Sequence, residues 1–254
     1  MIQPIQLGKL MIGNGIPKIC VPITGRTRED IIRQAEGTRT AGADLVEWRA
    51  DFFENVENLQ SVKEVLSTVR AILCDIPLLF TFRTQEEGGV LDISTKYYVN
   101  LNTAAAETKL VDAVDVEIFR GDEIVQSLIQ KIHHNGCVVV GSNHHFTKTP
   151  AKEELLAIFD RMELKGADIL KIAAMPRDPQ DVLTLLAATH EETKRTTRPI
   201  ITMSMAGMGA VSRISGEVFG SSVTFAATEA CSAPGQLPIE EMRQMLGSLH
   251  RSMQ

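Results

Sequence analysis

The chain is short of what would send it to a membrane, a nucleic acid or an oxidising compartment. No apolar run approaches the roughly 18 residues that a membrane span requires, and Met1-Ile2-Gln3-Pro4 opens no basic segment followed by a long apolar one. Positive charge is scarce, with 26 Lys and Arg against 32 Asp and Glu and a formal net charge of -6. That balance argues against a general nucleic-acid or membrane-surface role, while leaving room for basic pockets that take a small anion. Cys20, Cys74, Cys137 and Cys231 are far apart and form no CxxC pair, so neither a zinc site nor a redox pair has support, and they read as reduced core thiols. No Pro/Gly/Ser linker or low-complexity tract interrupts the chain. The expectation is a cytoplasmic globular protein, a single domain over residues 1–254, with hydrophobic residues at 44% to fill its core.

What is present is a regular alternation. Segments 18–23, 44–49, 77–83, 113–117, 137–142, 167–174, 199–203 and 222–225 read as strands, most of them short apolar runs closed by turn residues. Helical patterns fall between them. Thr27 caps 28–40 and Gly42 stops it; 58–73 follows; Ser94 caps a helix to about 108; 122–134 runs up to Gly136. Thr149-Pro150 with Glu153 reads as a helix start with proline at the first helical position, stopped at Gly166, and Asp178-Pro179 opens the next helix. Short helical 211–218 and closing 239–251 complete eight strands and eight helices, and Gly13-Asn14-Gly15 reads as the turn of a short N-terminal hairpin. Strict alternation predicts a parallel sheet, and eight units predict a closed (β/α)8 TIM barrel of the α/β class. The competing doubly wound sheet usually carries a Gly-rich fingerprint after its first strand, and Thr24-Gly25-Arg26-Thr27 has none. In such a barrel, polar residues at the carboxyl ends of the strands converge on one site.

Alternation in the sixth strand puts Ile169, Lys171 and Ala173 on one face and Leu170 and Ile172 on the other, so an amine projects from an apolar surface. The ordinary reading is a lysine that snorkels to solvent or pairs with a carboxylate; the sharper one is a desolvated nucleophile toward carbonyls. Glu47 and Arg49 share a strand face and read alone as a structural ion pair. Arg83 ends the third strand, and Glu87 in the loop after it reads as an exposed acid. His144 and His145 point in different directions, so one of them enters the site, and no HExxH motif or neighbouring Cys ligand supports zinc. His133-His134 suits a helix C-terminus. Beyond the weak Gly-x-Gly of residues 205–210, Arg213 is either a surface cation or a partner for a carboxylate or phosphate. Ser232 and Gln236 offer a hydroxyl and an amide to a polyol, or cap the last helix.

Six ordered motifs carry a resemblance over nearly the whole chain. They are Glu47-Trp48-Arg49; Phe80-Thr81-Phe82-Arg83 with Glu87-Gly88-Gly89; Ser142-Asn143-His144; Lys171-Ile172-Ala173 with Met175-Pro176; Ser212-Arg213 with Gly216-Glu217-Val218-Phe219-Gly220; and Ser232-Ala233-Pro234-Gly235-Gln236. Together they closely resemble the type I 3-dehydroquinate dehydratases. The resemblance implies a homodimeric barrel that dehydrates 3-dehydroquinate to 3-dehydroshikimate, the shikimate-pathway step toward chorismate and aromatic amino acids, with no metal and no cofactor. It implies Lys171 as the Schiff-base residue, His144 as general acid and base, Glu87 as the group orienting His144, and Arg213 as the substrate-carboxylate binder. Glu47, Arg49, Arg83, Ser232 and Gln236 match the residues that complete the pocket. Pro22 stands where some relatives carry a serine, His145 where some carry aspartate, and the loop at 206–209 is less polar than in some members. A class I aldolase or transaldolase, favoured by a phosphate site after the seventh strand, and a non-catalytic small-molecule-binding barrel are the other readings. An imine route requires a free amine at neutral pH, so the expectation for Lys171 is a pKa lowered by burial and neighbouring cations.

Overall fold

A computed structural model describes residues 1–228 and 235–254; Cys231 and Ser232 lie outside the described residues. The chain opens with an antiparallel hairpin of β1 (Ile5–Leu7) and β2 (Leu10–Ile12), Leu7 facing Leu10. The turn is at Gly8, whose φ of 54° is the left-handed conformation glycine permits. Residues 13–15, expected to make that turn, instead follow β2: the apolar pair Leu7 and Ile12 must face the same core, and this sets the turn at Gly8.

Eight parallel strands then form one sheet: β3 (Lys18–Ile23), β4 (Leu45–Arg49), β5 (Leu78–Thr81), β6 (Ala113–Glu117), β7 (Val138–His145), β8 (Ile169–Ala174), β9 (Ile200–Ser204) and β10 (Val223–Phe225). Their order is β10-β3-β4-β5-β6-β7-β8-β9, and a bridge between Ile200 and Ser221 brings the two ends together into a nearly closed barrel. The helices between them are α1 (Arg28–Thr40), α2 (Leu59–Leu73), α3 (Thr95–Glu107), α4 (Asp122–His134), α5 (Lys152–Lys165), α6 (Pro179–Arg195), α7 (Ala210–Ile214), α8 (Gly216–Phe219) and α9 (Ile239–Ser252). Among the described residues none is long and apolar enough to cross a membrane. Caps act where the side chains allow: Thr27, Asn58, Ser94 and Asp178 each accept a hydrogen bond from an amide of the first turn.

Strand parity separates two cores. Outward residues such as Val46, Trp48, Phe80, Val139, Leu170 and Ile172 pack against the helices. Inward ones fill the barrel, one from each strand: Cys20, Leu45, Leu79, Ala113, Val140, Ile169, Ile201 and Val223, with Leu7 and Ile12 of the hairpin beneath them. The floor is therefore plugged, and the open end is the carboxyl end of the strands.

Three elements depart from the sequence reading. Strand β7 runs to His145 rather than stopping at 142, because β8 pairs with it up to Ala174. The Thr149-Pro150 start is displaced: α5 begins at Lys152, and the Thr149 hydroxyl donates instead to the Met175 carbonyl at 3.1 Å, tying the loops after β7 and β8. The single helix expected over 211–218 is broken at Ser215 into α7 and α8, where Gly216 lies so close to Ser221 that a Cβ would sit 2.7 Å from its carbonyl oxygen.

Candidate active site

The inward, carboxyl-end positions of the strands hold the polar residues that the sequence marks. Lys171 continues the inward row of Ile169 and is only 3% exposed. Its Nζ donates to Glu47 Oε1 at 3.2 Å and to Asp115 Oδ2 at 3.1 Å, and lies 4.9 Å from the centre of the Phe225 ring. Snorkelling is excluded by that burial. Burial pulls the lysine pKa down, but Glu47 and Asp115 more than offset it, so the pKa sits above the ordinary lysine value. The expected depression is thereby corrected: the groups nearest the amine are carboxylates, and the free site holds an ammonium.

His144 continues the inward row of Val140 and Ser142, and its Nδ1 lies 2.8 Å from Glu87 Oε2. Burial first, then the cations Arg83, Lys171 and Arg49, hold its pKa well below 6.5, so the ring is neutral. Glu87 is buried at 8% exposure rather than exposed in its loop, because the 3₁₀ turn Gln85–Glu87 folds it inward. Burial pushes its carboxyl up to about 8, the pull of Arg83 and the Asn143 amide notwithstanding. His145 faces away from the cavity.

Arg83 is the hub of the floor beneath these groups. One amine donates to Glu117 Oε1 at 3.1 Å and Ser142 Oγ at 3.0 Å, and the other lies 2.9 Å from Asp115 Oδ1. Glu47 and Arg49 do not pair with each other. Arg49 makes a bidentate contact to Asp51, two bonds of 2.8 Å, while Glu47 accepts from Thr81 at 2.9 Å and from Lys171. Arg213 on α7 is 2% exposed, not a surface cation. A cavity of about 200 Å³ brings together Glu47, Arg49, Arg83, Glu87, His144 and Lys171, with Arg213 and Gln236 also on its lining. Met203, Met205, Phe225 and Phe146 supply its apolar wall. Ser232 falls outside the described residues. Among them, no group of three or more His, Cys, Asp or Glu is arranged to hold a metal ion.

Sequence reasoning missed Asp115 and Glu117. Both are buried on the inward face of β6, and the signal was the one that exposed Lys171: the alternation Ala113-Val114-Asp115-Val116-Glu117 sets charges in an otherwise apolar strand. The paired glycines after Glu87 have a steric cause. A Cβ on Gly88 would meet the Phe146 ring at 2.2 Å, and one on Gly89 would meet the Arg83 carbonyl oxygen at 1.9 Å. Backbone cannot yield as a ring can. Gly89→Ala is therefore expected to displace the Arg83–Glu87 loop, costing about 1–3 kcal/mol and lowering Tm by about 2–4 °C per kcal/mol, with loss of activity. Thermal unfolding and turnover of the purified variant check this.

A parallel eight-stranded barrel with an ion-paired lysine and a carboxylate-bound histidine at its mouth defines a class of lysine-centred (β/α)8 proteins. Comparison narrows the class. Residues 19–253 match the model of the type I 3-dehydroquinase family. A 3-dehydroquinate dehydratase of Clostridioides difficile (strain 630) is 50% identical over 254 residues, covering 100% of both chains, and that of Listeria innocua is 51% identical over 250 residues, 98% of this chain and 99% of the relative. A crystal structure of the type I enzyme from Clostridium difficile, with covalent modified comenic acid, superposes with a TM-score of 0.97 at 50% identity over 99% of this chain and 100% of that one. The structure from Geobacillus kaustophilus gives 0.97 at 38% identity, over 99% and 98%. The chain belongs to the type I 3-dehydroquinase family and is an enzyme of that family.

Proposed function

We propose that the chain dehydrates 3-dehydroquinate to 3-dehydroshikimate through a Schiff base on Lys171, as the shikimate-pathway step toward chorismate. The observation that carries this reading is the company of the lysine: a buried amine shares one cavity with a neutral histidine whose Nδ1 is engaged by a carboxyl. The relative crystallised with covalent modified comenic acid supports covalent chemistry in the family.

The ammonium of Lys171 passes a proton to neutral His144. The freed lone pair adds to the substrate carbonyl carbon, whose oxygen takes up protons and leaves as water, giving an iminium. The iminium acidifies the neighbouring C–H; His144 takes that proton, and the electron pair moves into the enamine. As the enamine pair returns, the hydroxyl on the next carbon leaves with a proton from His144 as a second water. Hydrolysis of the remaining iminium consumes one water and frees the conjugated ketone and the amine. Arg213 takes the substrate carboxylate, and Glu47, Arg49, Arg83, Ser232 and Gln236 complete the pocket around the hydroxyls, with Glu87 orienting the histidine. The same reading treats residues 1–254 as one catalytic domain acting as a cytoplasmic homodimer, requiring neither metal nor cofactor.

The test is to incubate the protein with 3-dehydroquinate and borohydride and map the adduct by peptide mass spectrometry, alongside the release of conjugated enone without reductant. The expected result is a reduced adduct on Lys171 together with enone release. Turnover with no mass on Lys171 removes the imine; an adduct without enone release removes the dehydration.

A further inference from the structure

The two carboxylates that hold Lys171 differ in what else can reach them. Glu47 lines the cavity, so a substrate hydroxyl can share its oxygens. Asp115 does not line it. It is wholly buried, and donors already in place hold both its oxygens: Lys171 on Oδ2 at 3.1 Å, Ser142 on Oδ1 at 2.6 Å and Arg83 on Oδ1 at 2.9 Å. Substrate cannot displace those donors without breaking the floor. We propose that Asp115 is the fixed counter-ion of the Lys171 nitrogen, a positioning residue that keeps this nitrogen cationic as an iminium and aimed up the barrel axis while Glu47 turns to the substrate. The inference rests on the imine reading above.

The chemistry demands such a group. Positive charge sits on one nitrogen as ammonium, as the first iminium and again as the conjugated iminium. A neutral imine withdraws electrons too weakly to acidify the neighbouring carbon, and in a buried site a cation without a nearby anion loses its proton. The groups facing this nitrogen are Glu47 from β4, Arg83 beyond β5, Asp115 from β6, His144 from β7, the Phe225 ring from β10 and the Cys20 thiol from β3. Two of these are cationic or become so during turnover, and one of the two anions is shared with substrate. Asp115 is the anion left. Itself, it faces Arg83, Lys171 and Ser142 at contact distance, with the Tyr98 phenol and the Glu87 carboxyl further off. Its cationic neighbours and the Ser142 hydroxyl outweigh burial and hold its carboxyl below the usual range, so it stays ionised.

The experiment starts from the wild-type borohydride adduct; its absence defeats the imine reading and leaves the counter-ion question without an object. Given the adduct, Asp115→Asn keeps the shape and removes the charge. The expected result is a fall in kcat of roughly 10²-fold, with KM changed less than about threefold, and an alkaline limb of the kcat profile moved down by about one pH unit or more. Asp115→Glu, which keeps the charge, should return that limb toward its wild-type position. A merely structural role would lower the yield of folded protein without moving the limb. An Asn variant with the wild-type limb overturns the proposal. Where Asp115→Asn is not recovered folded, the alkaline titration of Lys171, followed by acylation and mass spectrometry, is compared in wild type and Glu47→Gln. With Asp115 alone beside it, the lysine should remain at or above its ordinary value; a fall below that value in Glu47→Gln makes Glu47 the counter-ion and sinks the proposal.

Discussion

Lys171→Ala is expected to give a protein with no borohydride-stable adduct and no measurable conversion of 3-dehydroquinate. The proposed route offers no substitute, since among the described residues no other amine lies on the cavity wall and the arginines are far weaker nucleophiles. The substitution acts on stability too. It leaves Glu47 and Asp115 facing each other's charge in a buried site, and breaking such a pair costs about 3–5 kcal/mol. A drop in Tm of about 2–4 °C for each kcal/mol should therefore accompany the lost activity. Circular dichroism at low temperature separates loss of chemistry from loss of fold: residual turnover in a folded variant would remove Lys171 from the mechanism.

His144→Ala should behave differently. The amine and its counter-ions remain, so slow imine formation persists with solvent taking the ammonium proton, while removal of the C–H proton and protonation of the leaving hydroxyl lose the ring that performs them and turnover drops by roughly 10²–10⁴-fold. Single-turnover samples quenched with borohydride should then carry the undehydrated adduct on Lys171, where wild type passes on to product. Loss of the Glu87 contact at 2.8 Å leaves that carboxyl buried and, with its pKa raised to about 8, able to stay protonated, so the fold should survive better than in Lys171→Ala. Near-normal turnover would move the acid and base roles to another group.

Much of the barrel was readable because strand parity is a local property. Lys171, Glu47 and His144 each continue an inward row set by their own neighbours; counting in twos set Lys171 among apolar side chains and separated His144 from His145, and the resemblance chose between the two histidines. The pairings were not readable, since they join positions far apart in the chain. Lys171 reaches Glu47 across 124 residues of sequence. The local reading therefore supplied burial for the lysine and the wrong sign for its pKa, because the two carboxylates that raise it come from other strands, Glu47 from β4 across the barrel and Asp115 from β6 two strands away. Arg49 went astray for the opposite reason: its partner Asp51 sits two residues on, beyond the strand, where the 3₁₀ turn Ala50–Phe52 brings it back. Asp115 carried the same pattern as Lys171 but stands in no motif of the resemblance, and it passed unremarked.

The hairpin beneath the barrel has a bearing on solvent traffic. Among the described residues Leu7 and Ile12 seal the floor, so the cavity is a well whose door is at the carboxyl end of the strands. The route proposed here sheds two waters and takes one back, so each must pass, or wait beside, a tethered sugar-sized occupant at that door. Exchange of the ketone oxygen with bulk solvent is thereby a clock for the door itself, since an oxygen lost at imine formation and regained at hydrolysis records whether the well emptied in between.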